Sequence, residues 1–303
     1  MGAPKVSHLD NFRSLMNDGD LLVMPGAYDA MSARLIAAAG FKAIFAGGNA
    51  AIGSLLAQPD MGQSNMRDYA DHYARISEAA GDVPVFVDAD TGFGGVHNVR
   101  QAVRAFEASG VAGLFIQDQV FPNRCGYLPG KQLVPVEQMI AKIKAALDAR
   151  RSADFFIAAR TDAAGVDGLD AANERSQLYM DAGADMALPQ GVDTPEGISR
   201  VIREVPGPFM AIASQAAGNK APDLAGLAGM GVSAVILPTL TLMAAAKAVE
   251  TALHHIATNM TVRGFEDRLM PMSDYYGLVG LAALNEREES YDRAGAAFLL
   301  PRP

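Results

Sequence analysis

The sequence predicts a (β/α)8 barrel of the TIM type followed by a helical extension, on the strength of three observations. Eight short apolar runs recur between residues 21 and 237. Helical patterns lie between them, and a glycine ends four of those patterns just before the next run, at Gly40, Gly110, Gly183 and Gly231. Most of the runs are continuous rather than alternating, the mark of strands covered on both faces of a parallel sheet. Strand–helix alternation requires such a sheet, and eight units suit its closure. The competing open, doubly wound sheet would place a glycine fingerprint after the first strand, and Pro25-Gly26-Ala27-Tyr28 is not one.

In chain order, the first strand covers 21–25 and its helix 28–39. Strands follow at 42–46, 84–88, 112–116, 155–159, 185–188, 209–213 and 233–237. Helices are expected near 65–80, 97–109, 135–150, 170–182, 194–203, 222–229 and 239–258. No linker rich in Pro, Gly and Ser divides this stretch, so residues 1–258 read as one barrel domain. Beyond it the pattern changes. Thr261 to Arg268 is polar, and 273–293 is helical with apolar positions at Tyr276, Val279, Ala282, Ala283 and Tyr291. Having no strand of its own, the tail over 259–303 is expected to pack on the barrel or on a neighbouring subunit.

Composition narrows the function. A chain of 303 residues, half of them apolar, can bury a large core. Its formal net charge of −9 and lack of a dense Lys/Arg block argue against a nucleic-acid surface. The one cysteine, Cys125, permits no internal disulfide and points to a reducing, cytoplasmic setting. Met1 to Asp20 is mixed and polar, without a signal peptide's apolar core. No apolar run reaches the roughly 18 residues of a membrane-spanning helix. His8, His72, His97, His254 and His255 show no zinc spacing, and His254-His255 reads as surface or packing.

In a barrel the loops after the strands form the active face. Loop three carries Asp88 and Asp90, one residue apart at a strand end, then Gly92. Alternation aims both carboxylates the same way, where they repel and raise each other's pKa. A hard cation would remove that cost, although Asp-x-Asp before glycine also suits an ordinary turn. Loop two, Gly47-Gly48-Asn49, offers bare N–H groups to a carboxylate or phosphate, or is a tight turn. Loop five opens with Arg160, costly after a buried strand unless paired, whose planar fork suits a carboxylate or oxyanion. Loop four, 117–131, has the length of a lid. It holds Cys125 beside Arg124, a setting for acid/base work, although an isolated cysteine also serves as a small buried hydrophobe.

Taken together, these segments resemble the isocitrate lyase/phosphoenolpyruvate mutase superfamily, on the side of the short methylisocitrate lyases, dimethylmalate lyases and carboxyphosphonoenolpyruvate mutases. The carrying motifs are Met24-Pro25-Gly26-Ala27-Tyr28-Asp29-Ala30, Gln58-Pro59-Asp60-Met61-Gly62, Val87-Asp88-Ala89-Asp90-Thr91-Gly92-Phe93-Gly94, Asp118-Gln119 with Arg124-Cys125-Gly126, and Ala158-Ala159-Arg160-Thr161-Asp162-Ala163. The similarity runs from about Leu15 to about Leu253. It implies a TIM-type barrel with a C-terminal helix swapped onto a neighbour in a homodimer or homotetramer. It further implies Mg2+, or Mn2+, at Asp88 and Asp90 with Gln117. Substrate binding would involve Ala46, Gly47, Gly48, Asp60, Arg124, Gly126 and Gln190. Arg160 would hold a carboxylate or alkoxide, and Cys125 would protonate the leaving enolate.

The departures from the pattern are informative. Ala46 stands where the lyases have serine, Gln117 where they have glutamate, and Tyr127 where Cys-Gly-His ends in histidine. Gln190 replaces a glutamate after strand six, while Ile212 and Gln215 stand for the Asn and Glu expected after strand seven. An amide can coordinate but brings no charge, so the metal should bind more weakly than in typical relatives or lean on an anionic substrate. Tyr127 can donate a hydrogen bond but cannot simply stand in for an imidazole. The expected activity is metal-assisted C–C cleavage of a small 2-hydroxy (di)carboxylic acid to a 2-keto acid and a second acid, with Cys125, Arg160 and Tyr127 at the reacting centre. The alternatives are oxaloacetate decarboxylation or hydrolysis, a carboxyphosphonoenolpyruvate-type phosphonomutase, and a catalytically silent metabolite-binding protein.

Overall fold

Side chains alternate along each strand, and here the alternation sorts them into two shells. The computed structural model describes residues 8–214 and 222–299. Its parallel strands are β1 (Leu22–Pro25), β2 (Ile44–Ala46), β3 (Val85–Asp88), β4 (Gly113–Gln117), β5 (Phe156–Thr161), β6 (Met186–Pro189), β7 (Met210–Ile212) and β8 (Ala234–Leu237). Ladders run β2-β3-β4-β5-β6 and β1-β8-β7, and a parallel bridge from Gly26 to Phe45 joins β1 to β2. The strands thus follow one another around the sheet in sequence order, the order of a (β/α)8 barrel. Phe45, Phe86, Phe115 and Phe156 point into the barrel, while Ile44, Ala46, Val85, Val87, Leu114 and Ile116 face the helices. All eight strands fall where the apolar runs placed them, with β5 extended to take in Arg160 and Thr161.

The helices are α1 (His8–Met16), α2 (Ala30–Ala38), α3 (Gly48–Leu56), α4 (Met66–Ala80), α5 (Val96–Ala108), α6 (Val136–Ala149), α7 (Leu169–Asp181), α8 (Pro195–Glu204), α9 (Leu224–Gly229), α10 (Leu240–Asn259), α11 (Met272–Leu278) and α12 (Leu281–Phe298). Local chemistry explains several starts. Asp29 and Ser32 form a reciprocal capping box on α2, Asn65 and Asp68 another on α4, and Thr194 caps α8 ahead of Pro195. Gly110 and Gly183, at φ 83° and 99°, make the left-handed exits expected of the joints.

Two helices depart from the sequence reading. The polar N-terminal stretch contains α1, whose Phe12 and Met16 are buried in the barrel interior. Phe12 stacks on Phe86 at 5.3 Å and meets Phe156 edge-on at 5.4 Å. Arg13 donates to Asp185 and to the carbonyl of Ala153, both just ahead of strands, so α1 plugs the end of the barrel opposite the catalytic loops. The second is α3, which begins within loop two, with Gly47 at its N-cap, and makes Gly47-Gly48 a helix N-terminus rather than a simple turn.

Compact packing divides the chain at Ala244/Ala245, inside α10, earlier than the 258/259 boundary read from the pattern. In the second unit α11 and α12 contain no buried residue, and neither does α10, which runs into it. Phe265 is buried there against the His255 ring, at 5.4 Å. No described helix is long and apolar enough to cross a membrane.

Candidate active site

Asp88 is the last residue of β3, and Asp90 follows it with φ 47°, a left-handed conformation that aspartate tolerates better than most side chains. The turn is tied on all sides. Asp88 Oδ1 accepts from the Asp90 N–H at 2.7 Å and Oδ2 from the Gly48 N–H at 3.3 Å. The Tyr73 hydroxyl donates to the Asp88 carbonyl and Lys142 Nζ to the Thr91 carbonyl, both at 2.9 Å. Asp90 Oδ1 accepts from Asn123 Nδ2 at 2.8 Å. A Cβ at Gly48 would lie 3.1 Å from Asp88 Oδ2, so the missing side chain is what lets α3 begin against the carboxylate.

Asp60 brings a third buried carboxylate, and its Oδ1 has no hydrogen-bond partner. Burial raises all three pKa values. For Asp88 it does so to about 6, opposed by Arg160 and helped by Asp60. Asp90 lies well above the usual carboxylate range, pushed by burial and then by Asp88 and Asp60. Asp60 is raised by burial against the Gly62 N–H and Arg160. Such groups persist only where something in the working state offsets the cost.

Arg160, on β5 in register with Gln117 of β4, is the buried cation of the site. Its Nε and Nη2 hold Asp162 in a bidentate pair, both at 3.0 Å, and its guanidinium lies 5.5 Å from the Phe115 ring centre. Burial opposes its charge, but Asp162 and Asp88 outweigh that and raise its pKa. Burial likewise works against Asp162, yet Arg160 and Lys131 hold it below the ordinary range. The ion pair and the ligand clamp are thus compatible, because two of the five guanidinium N–H donors orient the group and three remain.

Loop four folds over this arrangement. Gln119 brackets Arg124, accepting from its N–H at 3.0 Å and donating to its carbonyl at 2.9 Å. Asn49 Nδ2 reaches Cys125 Sγ at 3.6 Å, and the Cys125 N–H donates to the Asp60 carbonyl at 3.4 Å. Lys131 Nζ bonds the Gly126 carbonyl and pairs with Asp162 Oδ1 at 3.2 Å. A Cβ on Gly126 would run into Arg160 Nη2 and come within 2.7 Å of Gln190 Cδ, so the flap rests on both. Tyr127 extends the flap. Its hydroxyl sits near Gln190 and Ser214 without a well-aligned hydrogen bond, and burial, then Asp193, pushes its pKa up to about 12.

One cavity of about 280 Å3 joins these groups. Twelve of the thirteen site residues predicted from sequence border it. Ala46 does not, because its side chain packs outward among the helices. Ile212 also borders it, whereas Gln215 lies outside the described residues. Among the described residues no three His, Cys, Asp or Glu side chains converge as a ready metal site. The sequence reading missed Asn123, Lys131, Asp162 and Lys142 as supports. Asn123, Lys131 and Lys142 act on groups far away in sequence and carry no local signal of it, whereas Asp162 sits only two residues from the Arg160 it orients.

Ionisable groups this costly to bury, collected where barrels keep their chemistry, define an enzyme. A family model described as phosphoenolpyruvate phosphomutase matches residues 12–257. The chain is 38% identical to 2,3-dimethylmalate lyase of Eubacterium barkeri over 92% of this chain and 96% of that protein. It is equally identical to 2-methylisocitrate lyase of Aeropyrum pernix over 95% and 92%. Among solved structures, a 2,3-dimethylmalate lyase superposes with TM-score 0.86 at 30% identity, covering 99% of this chain and 100% of that one. Oxaloacetate acetylhydrolase with 3,3-difluorooxalacetate gives 0.86 at 30%, covering 95% and 97%. Phosphonopyruvate hydrolase with oxalate and Mg++ gives 0.84 at 27%, covering 94% and 99%. The chain belongs to the phosphoenolpyruvate phosphomutase family, within the PEP mutase/isocitrate lyase superfamily.

Proposed function

We propose that the protein is a Mg2+-assisted carbon–carbon lyase that cleaves a small 2-hydroxy (di)carboxylic acid into a 2-keto acid and a second acid. The observation that carries this reading is the flap: it brings the Cys125 thiol to the same cavity as the Arg160 guanidinium and the raised carboxylates. Cleavage beside a hydroxyl leaves charge on that oxygen and on the departing carbon. Arg160 and the backbone at the start of α3 would orient the anionic oxygens, while the Gly48 N–H stays with Asp88 Oδ2. Asp60, raised by burial and with an unpartnered Oδ1, suits removal of the hydroxyl proton, and Cys125 returns a proton to the enolate carbon.

Asp88 and Asp90 with the amide oxygen of Gln117 would hold the cation. The fit is chemical: these are hard oxygen donors, and the two carboxylates sit desolvated and mutually repelling. When bound, the metal would supply positive charge to the substrate's oxygens, and the amides Gln117 and Gln190 predict weaker binding than an all-carboxylate set would give. Mg++ in the phosphonopyruvate hydrolase supports the choice of ion. The deciding experiment is Cys125→Ser, expected to abolish cleavage while leaving substrate affinity largely intact. Unchanged turnover refutes the assignment of the acid.

Likeness to oxaloacetate acetylhydrolase favours hydrolysis of oxaloacetate as the second reading. Assaying the products formed from oxaloacetate and from 2-hydroxy acids separates the two. The helices α10–α12, with no buried residue, support a homodimer or homotetramer in which they find cover, and sedimentation measures it. The lone cysteine supports a cytoplasmic setting.

A further inference from the structure

We infer that Asp118, which does not border the cavity, is a positioning residue of the site: it clamps the Arg160–Asp162 pair from behind and ties that clamp to the base of loop four. This role rests on the lyase reading, in which Arg160 orients the substrate's anionic oxygens.

Asp118 is fully buried just past the end of β4, and it reaches β5 with both its backbone and its side chain. Its N–H donates to the Arg160 carbonyl at 3.1 Å, and its Oδ1 accepts from the Asp162 N–H at 3.0 Å. One residue therefore grips the chain on either side of Thr161. Arg160 and Asp162 form their bidentate pair across that same step, so the grip fixes the base from which both side chains project.

The other end of Asp118 belongs to loop four. Its carbonyl accepts from the Val134 N–H at 2.9 Å. Beyond it Gln119 bridges Leu133 in the antiparallel sense, and the Val120 N–H donates to the Gln132 carbonyl at 2.8 Å. The start and end of the loop thus form a short stem that carries Arg124, Cys125, Tyr127 and Lys131. From α7, Arg175 and Tyr179 lie one turn apart and reach Asp118 Oδ2 at 3.2 and 2.8 Å. Arg175 Nη1 also spans to the Val134 carbonyl at 3.1 Å and to the Tyr179 hydroxyl at 3.2 Å. From α6, Lys142 faces the same carboxylate while donating to the Thr91 carbonyl behind Asp90. A charge buried this fully is kept only with partners of this kind. Here the partners lead to three parts of the site: the end of β5, the stem of the loop and the turn after β3.

The contacts ask for an acid and not for its amide. In Asp118→Asn the NH2 group takes one of the two oxygen sites. On one side it meets the Asp162 N–H, on the other Arg175 Nη1, and donor faces donor either way. A buried donor left without an acceptor weakens the closed arrangement by roughly 5- to 150-fold.

The test compares the full chain with Asp118→Asn and with Tyr179→Phe, which removes one donor from Oδ2 and leaves the Asp162 bond in place. Hydrogen exchange read by mass spectrometry reports on the frame without any ligand. In Asp118→Asn, exchange should quicken at least about fivefold across 118–134 and 160–163, while β1, β2 and β8 keep their rates. Steady-state kinetics on a cleaved 2-hydroxy acid should show KM rising at least about tenfold, and by more than kcat falls, because the hold of Arg160 on the bound anion is what loosens. Tyr179→Phe should quicken exchange in 118–134 and leave KM within about threefold. Exchange unchanged in both variants overturns the proposed role, as does exchange quickened evenly over the barrel, the mark of an ordinary core ion pair. Local exchange with KM unmoved in Asp118→Asn overturns it too, since Arg160 is then held by other means. If Asp118→Asn does not fold, unchanged loop exchange in Tyr179→Phe refutes the clamp by itself. If no 2-hydroxy acid is cleaved by the parent chain but exchange stays local, the lyase reading falls and the clamp stands.

Discussion

Gly126→Ala measures how firmly the flap is seated. A Cβ there would run into Arg160 Nη2 and approach Gln190 Cδ and Cγ at 2.7 and 2.8 Å, where ordinary carbon contacts begin near about 3.5 Å. Three relaxations are open. Arg160 can withdraw, which breaks two 3.0 Å bonds to Asp162. Gln190 can turn aside, or the flap can lift against Lys131 and the Cys125–Asp60 bond. Overpacking of this kind costs about 1–3 kcal/mol. Lifting the exposed edge of a loop spares the core, so the cost should fall on the closed state rather than on global stability. At about 1.36 kcal/mol per tenfold, kcat/KM should drop roughly 5- to 150-fold while Tm moves by only a few degrees. Steady-state kinetics on a cleaved 2-hydroxy acid, with a thermal melt alongside, reads both quantities. A variant that keeps its fold and retains kcat/KM within about twofold would show that the working flap does not lie on Arg160.

Lys131→Met removes the tether to the Gly126 carbonyl and the second cation on Asp162, and should lower kcat/KM about 10- to 100-fold; unchanged kinetics would show the tether idle. Phe12→Ala should cost about 3–5 kcal/mol in denaturant unfolding with KM unmoved, since Phe12 fills the end of the barrel remote from the flap. Without divalent cations, Asp88, Asp90 and Asp60 have folded pKa values above their unfolded ones. Their contribution to stability is therefore complete below about pH 4 and lost as pH rises through about 6 for Asp88. Melts of the metal-free protein should show Tm falling across that window, with Asp88→Asn flattening the slope. Mg2+ should raise Tm more above pH 6 than below it, and a shift independent of pH would speak against binding at these carboxylates.

Much of the barrel was legible because its strands are buried on both faces, which turns β3 and β4 into runs of apolar residues. The N-terminal helix was not, since Phe12 and Met16 look unremarkable until Phe86 and Phe156 are placed beside them. Nor was α3, whose Gly48-Asn49-Ala50 start has no capping side chain and carries two glycines within nine residues. In the site, Asp88, Asp90 and Arg160 announced themselves by being charged at the ends of apolar strands. Asn123, which holds Asp90, and Lys131, which reaches Asp162, are defined by long-range geometry, whereas Asp162 pairs with Arg160 only two residues away. Ala46 was placed in the pocket by the resemblance, as the residue standing where the lyases have serine, but strand alternation turns its side chain towards the helices.

A single carboxylate, Asp162, pairs with two cations, the Arg160 guanidinium and the Lys131 ammonium of loop four. Displacing loop four would carry Lys131 away and leave Asp162 to Arg160 alone. An arginine so paired would be more fully neutralised and would offer anions a weaker grip, so the seating of the loop and the strength of that grip would hang on one buried oxygen pair.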